Sequence, residues 1–227
     1  MRGWTREAGA AGRSSSSKER SSGFQVCAAA PRQPSGPADR SCATAVNAPT
    51  ADPRLDGAAL NRIVFDAEQI ARRVAELGAE ITARYPDGEL LVLGLLKGSF
   101  IFLGDLVRQI RRPLQIDFIV ASSYGDAMTS SGHVRLAYDP ETRLEGKHIL
   151  LVEDIIDSGR TLDRLWDLLS VRRPKSLEVC ALLDKRLAEL RHPAGFVGFD
   201  APHEFLVGYG LDHAEDFRHL PYIASLQ

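Results

Sequence analysis

The stretch that most constrains the fold is residues 149–161, ILLVEDIIDSGRT. It opens on four apolar residues, Ile149, Leu150, Leu151 and Val152. A short continuous apolar run of this kind fits a strand buried on both faces, as in a parallel sheet. Glu153 and Asp154 follow, then Ile155, Ile156, Asp157 and the small polar run Ser158, Gly159, Arg160, Thr161. Leu162, Leu165, Leu168 and Leu169 then repeat at helical spacing, with Trp166 in the same stripe. The order is strand, acidic end, polar turn, helix.

Such a turn can cradle one phosphate. Small residues let backbone N–H groups approach an anion, Ser158 and Thr161 add hydroxyls, and a helix N-terminus adds positive partial charge. The pattern is not a P-loop, which needs G-x-x-x-x-G-K-[ST]. Two acids just before a phosphate cradle repel the ligand unless they bind something else. Sugar hydroxyls, or a divalent cation carried with the sugar, fit that need.

Strands and helices alternate around this stretch. Asp66 can cap a helix with Gln69 as reciprocal partner, and order is expected to start near Ile63. Ile70, Val74, Leu77, Ile81 and Ala83 mark the helix's apolar stripe, which Pro86 and Gly88 end. Residues 90–96 read as a buried strand with Lys97-Gly98 at its end, and Ser99 as the cap of a helix over 100–110. Pro113 precedes a strand at 114–121, followed by a polar connector at 122–132 and a returning strand at 133–138. Residues 176–183 form another strand, ending in Asp184-Lys185-Arg186. Phe196–Phe199 and Phe205–Tyr209 form a last apolar pair around the turn at Pro202. This alternation predicts an α/β domain with a central, mainly parallel sheet flanked by helices. A lysine at the C-terminal end of a parallel strand, such as Lys97, faces the crevice where open α/β sheets bind ligands.

With 227 residues the chain is long enough for one such domain. A formal charge of −2 argues against a nucleic-acid binder, which would be strongly basic. Cys27, Cys42 and Cys180 make no C-x-x-C pair and no metal spacing, which suggests a reducing compartment; the cytoplasm is the expected location. No apolar run approaches the roughly 20 residues that span a bilayer. Residues 1–52 differ from the rest: they are Ser-, Gly-, Ala- and Arg-rich and lack helical or strand period. Their cations Arg2, Arg6, Arg13, Lys18, Arg20, Arg32 and Arg40 outnumber acids such as Glu7, Glu19 and Asp39. This segment reads as a disordered tail, a start codon assigned too early, or an organellar targeting peptide. The domain itself is expected over residues 53–227.

The central stretch resembles the phosphoribosyl-pyrophosphate (PRPP) motif of the type I phosphoribosyltransferases. Its ED-x-x-D-[ST]-G-x-T form is most similar to the hypoxanthine/guanine branch. LLKGSF before it and FLVGYGLDHAEDFR after it match that branch in the same order, and the resemblance covers about residues 63–227. It implies the type I fold, with a small hood built from N- and C-terminal segments. It implies purine salvage: a 6-oxopurine (hypoxanthine or guanine) takes 5-phosphoribosyl from PRPP, giving IMP or GMP and pyrophosphate. It also implies Mg²⁺ and a homodimer or homotetramer.

Residue by residue, the resemblance assigns Ser158, Gly159, Arg160 and Thr161 to the 5′-phosphate. Glu153 and Asp154 go to the ribose hydroxyls and the metal, and Lys97, Gly98 and Arg218 to pyrophosphate. Lys185 donates to the purine 6-oxo oxygen, Phe205 stacks on the base, and the Leu206 backbone reads its edge. Asp212 joins in metal and base binding, and Ser123-Tyr124 belong to a loop that closes over the site. Asp157 is the candidate base for the purine ring proton. Its place at a helix N-terminus favours the charged form and weakens it as a base, so it is expected to accept the proton late. His213 departs from the branch, where an aromatic Tyr is common. Two other readings are a nucleic-acid-binding regulator of the same fold, against which the acidic folded part argues, and an enzyme for another base. Lys185, a donor only, favours an oxo group over an amine.

Overall fold

The computed structural model describes residues 46–47, 52–55, 57–123, 134–187 and 190–226. Two strands come first, β1 (Val46–Asn47) and β2 (Leu60–Phe65), with a single 3-10 turn at Pro53–Leu55 between them. Helix α1 (Ala67–Arg84) follows. Its predicted cap is present: Gln69 N–H donates to Asp66 Oδ1 at 2.8 Å and Asp66 N–H to Gln69 Oε1 at 2.9 Å. Strand β3 (Leu90–Leu96) leads to α2 (Phe100–Gln109). Ser99 does not cap α2 with its side chain. Its backbone is already helical (φ −75°, ψ −6°), and the buried hydroxyl donates back to Leu95 O at 2.7 Å.

Strands β4 (Gln115–Ser123) and β5 (Val134–Tyr138) form an antiparallel pair. Next come β6 (His148–Ile156), α3 (Arg160–Ser170), β7 (Ser176–Asp184) and β8 (Phe196–Asp200). The six-stranded sheet has the order β5-β4-β3-β6-β7-β8, and every pairing but β4–β5 is parallel. Alternate residues of its inner strands face opposite sides. Leu90, Val92, Leu150, Val152, Cys180 and Leu182 pack with α1 and α2, while Leu91, Leu93, Ile149, Leu151, Val179 and Ala181 pack with α3. Cys180 is a buried free thiol. On α3 the buried residues are Leu162, Leu165 and Leu169; Leu168 lies beside that stripe and is exposed, contrary to the sequence reading.

The last strands, β9 (Leu206–Val207) and β10 (Ile223–Leu226), build a separate four-stranded sheet, β1-β2-β10-β9. Phe196–Phe199 and Phe205–Tyr209 are therefore not partners. The first joins the main sheet beside β7, the second pairs antiparallel with β10. Apolar content alone does not say which sheet a short run joins. Order also begins before Ile63: Tyr222 Oη donates to Asp52 Oδ2 at 2.8 Å, and Leu55 packs with Leu60, Val207 and Leu220. Those contacts hold a segment that has no period of its own. No described helix is long and apolar enough to cross a membrane.

Candidate active site

The chain leaves β3 toward β4 on one side and returns to β6 on the other, so the connection reverses between β3 and β6. Ligands of open α/β sheets bind at the carboxyl ends of the strands at such a reversal. Here those ends carry Lys97-Gly98 and Glu153-Asp154. The β3–β6 ladder stops at Gly94↔Val152, while β6 pairs with β7 as far as Ile156↔Asp184. The sequence reading ended this strand at Val152. The acids are instead strand residues, held by β7 on one edge and open on the edge facing the β3 end.

Two glycines bring the three sequence motifs together. A β-carbon on Gly98 would overlap Asp154 Oδ2, and a β-carbon on Gly210, whose φ is +103°, would overlap Gly98 O. The turn after β3 is thus stacked between the β6 acids and the C-terminal segment, at a distance that only glycine permits.

Burial, and then the neighbouring Asp154, pushes the Glu153 carboxyl well above its usual range. Burial raises Asp154 too, opposed by the Ile155 N–H, which donates to Oδ1 at 2.9 Å, and by the Arg218 charge. Glu153 Oε2 is buried with no hydrogen-bond partner. Two adjacent carboxyls short of partners suit a hard divalent cation or sugar hydroxyls. Asp212 is engaged elsewhere: Oδ1 lies 2.8 Å from Arg218 Nη2, and Oδ2 accepts the Glu215 N–H at 2.9 Å. Among the described residues no three His, Cys, Asp or Glu side chains gather as a metal cage. A cation at Glu153 and Asp154 would take its other ligands from a bound substrate or water, as Mg²⁺ commonly does.

Beyond the acids the chain bends at Asp157-Ser158, and Gly159 starts α3 with φ +69° and ψ −5°. No side chain caps this helix, so the N–H groups of its first turn are left for a ligand. Ser158, Arg160 and Thr161 are exposed around that opening, whereas Gly159 is buried beneath the Leu190 side chain. Asp157 is 62% exposed, and Lys185 Nζ stands 3.9 Å from its Oδ2. The Lys185 N–H donates to Ile156 O at 3.0 Å. The ends of β6 and β7 therefore present an acid and a cation side by side, a pairing the sequence did not reveal.

Across the cleft, Lys97 Nζ lies 3.0 Å from both carboxylate oxygens of Glu215. Arg218 donates through Nη1 to Gly210 O at 2.8 Å. Phe205 is 53% exposed, and its ring meets His213 edge-on at 5.5 Å between centroids. Leu206 is buried and pairs with Ser225 in the small sheet. Ser123 is the last residue of β4, and Tyr124 lies outside the described residues. Sequence reasoning gave no role to Glu215, Gly210 or Leu190. The G-Y-G spacing of residues 208–210 was the available signal for Gly210; Leu190 carried none.

The phosphoribosyl transferase domain family matches residues 62–214. The chain is similar to the hypoxanthine phosphoribosyltransferase of Salmonella typhimurium, with 46% identity over 167 residues, 72% of this chain and 94% of that one. It is similar to the hypoxanthine-guanine phosphoribosyltransferase of Bacillus subtilis, also with 46% identity, over 74% of this chain and 94% of that one. A crystal structure of a hypoxanthine-guanine phosphoribosyltransferase from Bacillus anthracis superposes with a TM-score of 0.71 at 43% identity, covering 74% of this chain and all of that one.

Proposed function

The chain belongs to the hypoxanthine/guanine phosphoribosyltransferase family, and from that premise we propose how its own residues serve purine salvage. The reaction is a glycosyl transfer: PRPP and a 6-oxopurine give a nucleoside monophosphate and pyrophosphate. The observation that carries the residue assignment is the meeting of an uncapped helix start at Gly159 with two half-buried acids at the open edge of β6, one of whose oxygens, Glu153 Oε2, is buried and unpartnered.

PRPP needs a place for each of its parts. The amides and hydroxyls of residues 158–161 take the 5′-phosphate, and Glu153 and Asp154 accept from the ribose hydroxyls. The same two acids would hold Mg²⁺ together with substrate oxygens and water, with Asp212, now paired with Arg218, as the further candidate ligand; the ion would supply positive charge to neutralise the pyrophosphate. Lys97, the Gly98 turn and Arg218 receive the pyrophosphate. Phe205 offers an exposed face to the purine, Leu206 its backbone, and Lys185 a donor to the 6-oxo oxygen. Ser123 and Tyr124 belong to the closing segment.

Breaking the bond between the anomeric carbon and pyrophosphate leaves positive charge on the sugar. Nearby carboxylates stabilise that charge, and exclusion of water protects it. Asp157 hydrogen-bonds the purine ring proton and accepts it as the new bond forms. The Lys185 ammonium stands beside it and donates to the same base, so the two side chains orient the purine together. The exposed apolar side chains Phe100, Ile116 and Phe118 suit burial by a second copy, which fits a dimer or tetramer.

The test is an assay of hypoxanthine, guanine, xanthine and adenine with PRPP and Mg²⁺. IMP and GMP are the expected products. AMP as the sole product would sink the assignment of Lys185, and tight nucleic-acid binding without any product would favour the regulator reading.

A further inference from the structure

The cations assigned above to the leaving group already hold a carboxylate. Lys97 Nζ lies 3.0 Å from Glu215 Oε1 and from Oε2. Arg218 Nη2 lies 3.4 Å from Glu215 Oε2 and 2.8 Å from Asp212 Oδ1. Glu215 thus bridges the two cations that two pyrophosphate oxygens would bridge. Its carboxyl is held below the usual range, first by the Lys97 hydrogen bonds and charge, then by Arg218.

The segment that delivers Glu215 is conformationally costly. Ala214, Glu215 and Phe217 have φ of 52°, 71° and 72°, a region that residues with side chains rarely adopt. Such backbone persists where its surroundings hold it, and it clusters at sites that change on binding. The contact can open: Lys97 and Glu215 are 66% and 65% exposed, so water screens the pair. One donor in the set is also unsatisfied, since Arg218 Nε is buried without a partner. An acceptor-rich ligand would supply what the protein does not.

We propose that Glu215 is an internal stand-in for pyrophosphate, which the pyrophosphate end of PRPP displaces on binding and which returns to Lys97 and Arg218 as the product leaves. This rests on the assignment of Lys97 and Arg218 to pyrophosphate. Bare cations would hold a highly charged product tightly. A carboxylate waiting on the same cations weakens that hold and eases release. Glu215 is then an affinity-setting residue of the leaving-group subsite, with no part in bond making.

The test measures binding of inorganic pyrophosphate, with Mg²⁺ present, to the full chain by titration calorimetry. Glu215→Gln should tighten binding about three- to ten-fold, the effect of removing one or two exposed ion-pair contacts. Asp216→Asn removes the same charge one residue away, from a carboxylate that pairs with no cation among the described residues, and should leave the affinity unchanged. Lys97→Gln should weaken binding, and adding Glu215→Gln to it should restore less than the single change gains. Wild-type or weaker binding by Glu215→Gln, or equal tightening by Asp216→Asn, overturns the proposal. If Lys97→Gln leaves pyrophosphate binding intact, the subsite assignment falls and the proposal falls with it. If Lys97→Gln weakens binding while Glu215→Gln does not tighten it, the assignment stands and only the stand-in role is lost.

Discussion

Gly98 lies directly against the carboxylate of Asp154, with no room between them for a methyl group. Asp154 cannot simply turn aside, because its Oδ1 accepts the Ile155 N–H at 2.9 Å. Gly98→Ala should therefore displace either the acid or the turn that carries Lys97. The expected outcome is a stability loss of about 1–3 kcal/mol from overpacking, with PRPP binding weakened at least about ten-fold, the equivalent of roughly 1.4 kcal/mol. Thermal melts and PRPP titration check both. Wild-type PRPP affinity in this variant would show that the Gly98–Asp154 contact does not shape the sugar site.

Gly159 faces two separate demands, a left-handed φ of +69° and the Leu190 side chain packed on its Cα. A double-mutant cycle separates them. Gly159→Ala alone should suffer both the overlap and the left-handed cost of about 1–2 kcal/mol. In a Leu190→Ala background the overlap is relieved, so the same change should cost less, though not nothing. PRPP affinity should fall with Gly159→Ala in both backgrounds, because the cradle needs that backbone. Equal stability costs in the two backgrounds would mean that Leu190 does not back the turn.

These two glycines mark the limit of what the sequence could tell. The strand at residues 90–96, the Asp66–Gln69 cap and the acid–turn–helix order were legible because local pattern determines them. The extent of β6 was not. Its last four residues are two acids and two isoleucines that the acids cut off from the apolar run, and only pairing with β7 as far as Ile156↔Asp184 makes them strand. The Lys185–Asp157 and Lys97–Glu215 pairs were illegible for a related reason: each joins residues distant in sequence, and charge content alone does not indicate which ions meet. Asp52 shows the same limit at the N-terminus, where Arg54 and Tyr222 hold a carboxylate in a stretch with no period.

Asp157→Asn should separate chemistry from binding. Asp157 is largely exposed and, among the described residues, its ion-pair partner is Lys185 at 3.9 Å, so the amide should be accommodated without unfolding. Loss of a positioned base lowers turnover by about 10²–10⁴-fold, while PRPP affinity, set by the cradle and the β6 acids, should stay near wild type. Lys185→Gln should act on the other substrate, raising KM for the purine more than for PRPP. Parallel losses of PRPP and purine affinity in both variants would count against the division of roles.

The last prediction concerns pH and lies at the opposite end of the sheet. His148 opens β6; its Nδ1 is 2.7 Å from Ser176 Oγ, and its ring tilts against Tyr85 at 5.2 Å. Burial first, then the charges of Lys175 and Arg112, lower its pKa below the ordinary value of 6.5, with Asp87 partly opposing them. As pH falls through about 6.5, the unfolded chain takes up a proton at this residue while the folded chain does not. The unfolded state therefore binds more protons, and stability contributed here declines with falling pH until the lower folded pKa is reached. Above about pH 7 both states are neutral at His148 and the effect is absent. His148→Gln keeps a polar group beside Ser176 but cannot titrate, so its melting temperature should fall less steeply than wild type between about pH 7 and 5. Turnover at saturating substrate should be unchanged, because His148 sits at the amino end of β6 and the proposed chemistry at its carboxyl end. Parallel melting profiles for the two proteins would remove His148 as the source of the acid sensitivity.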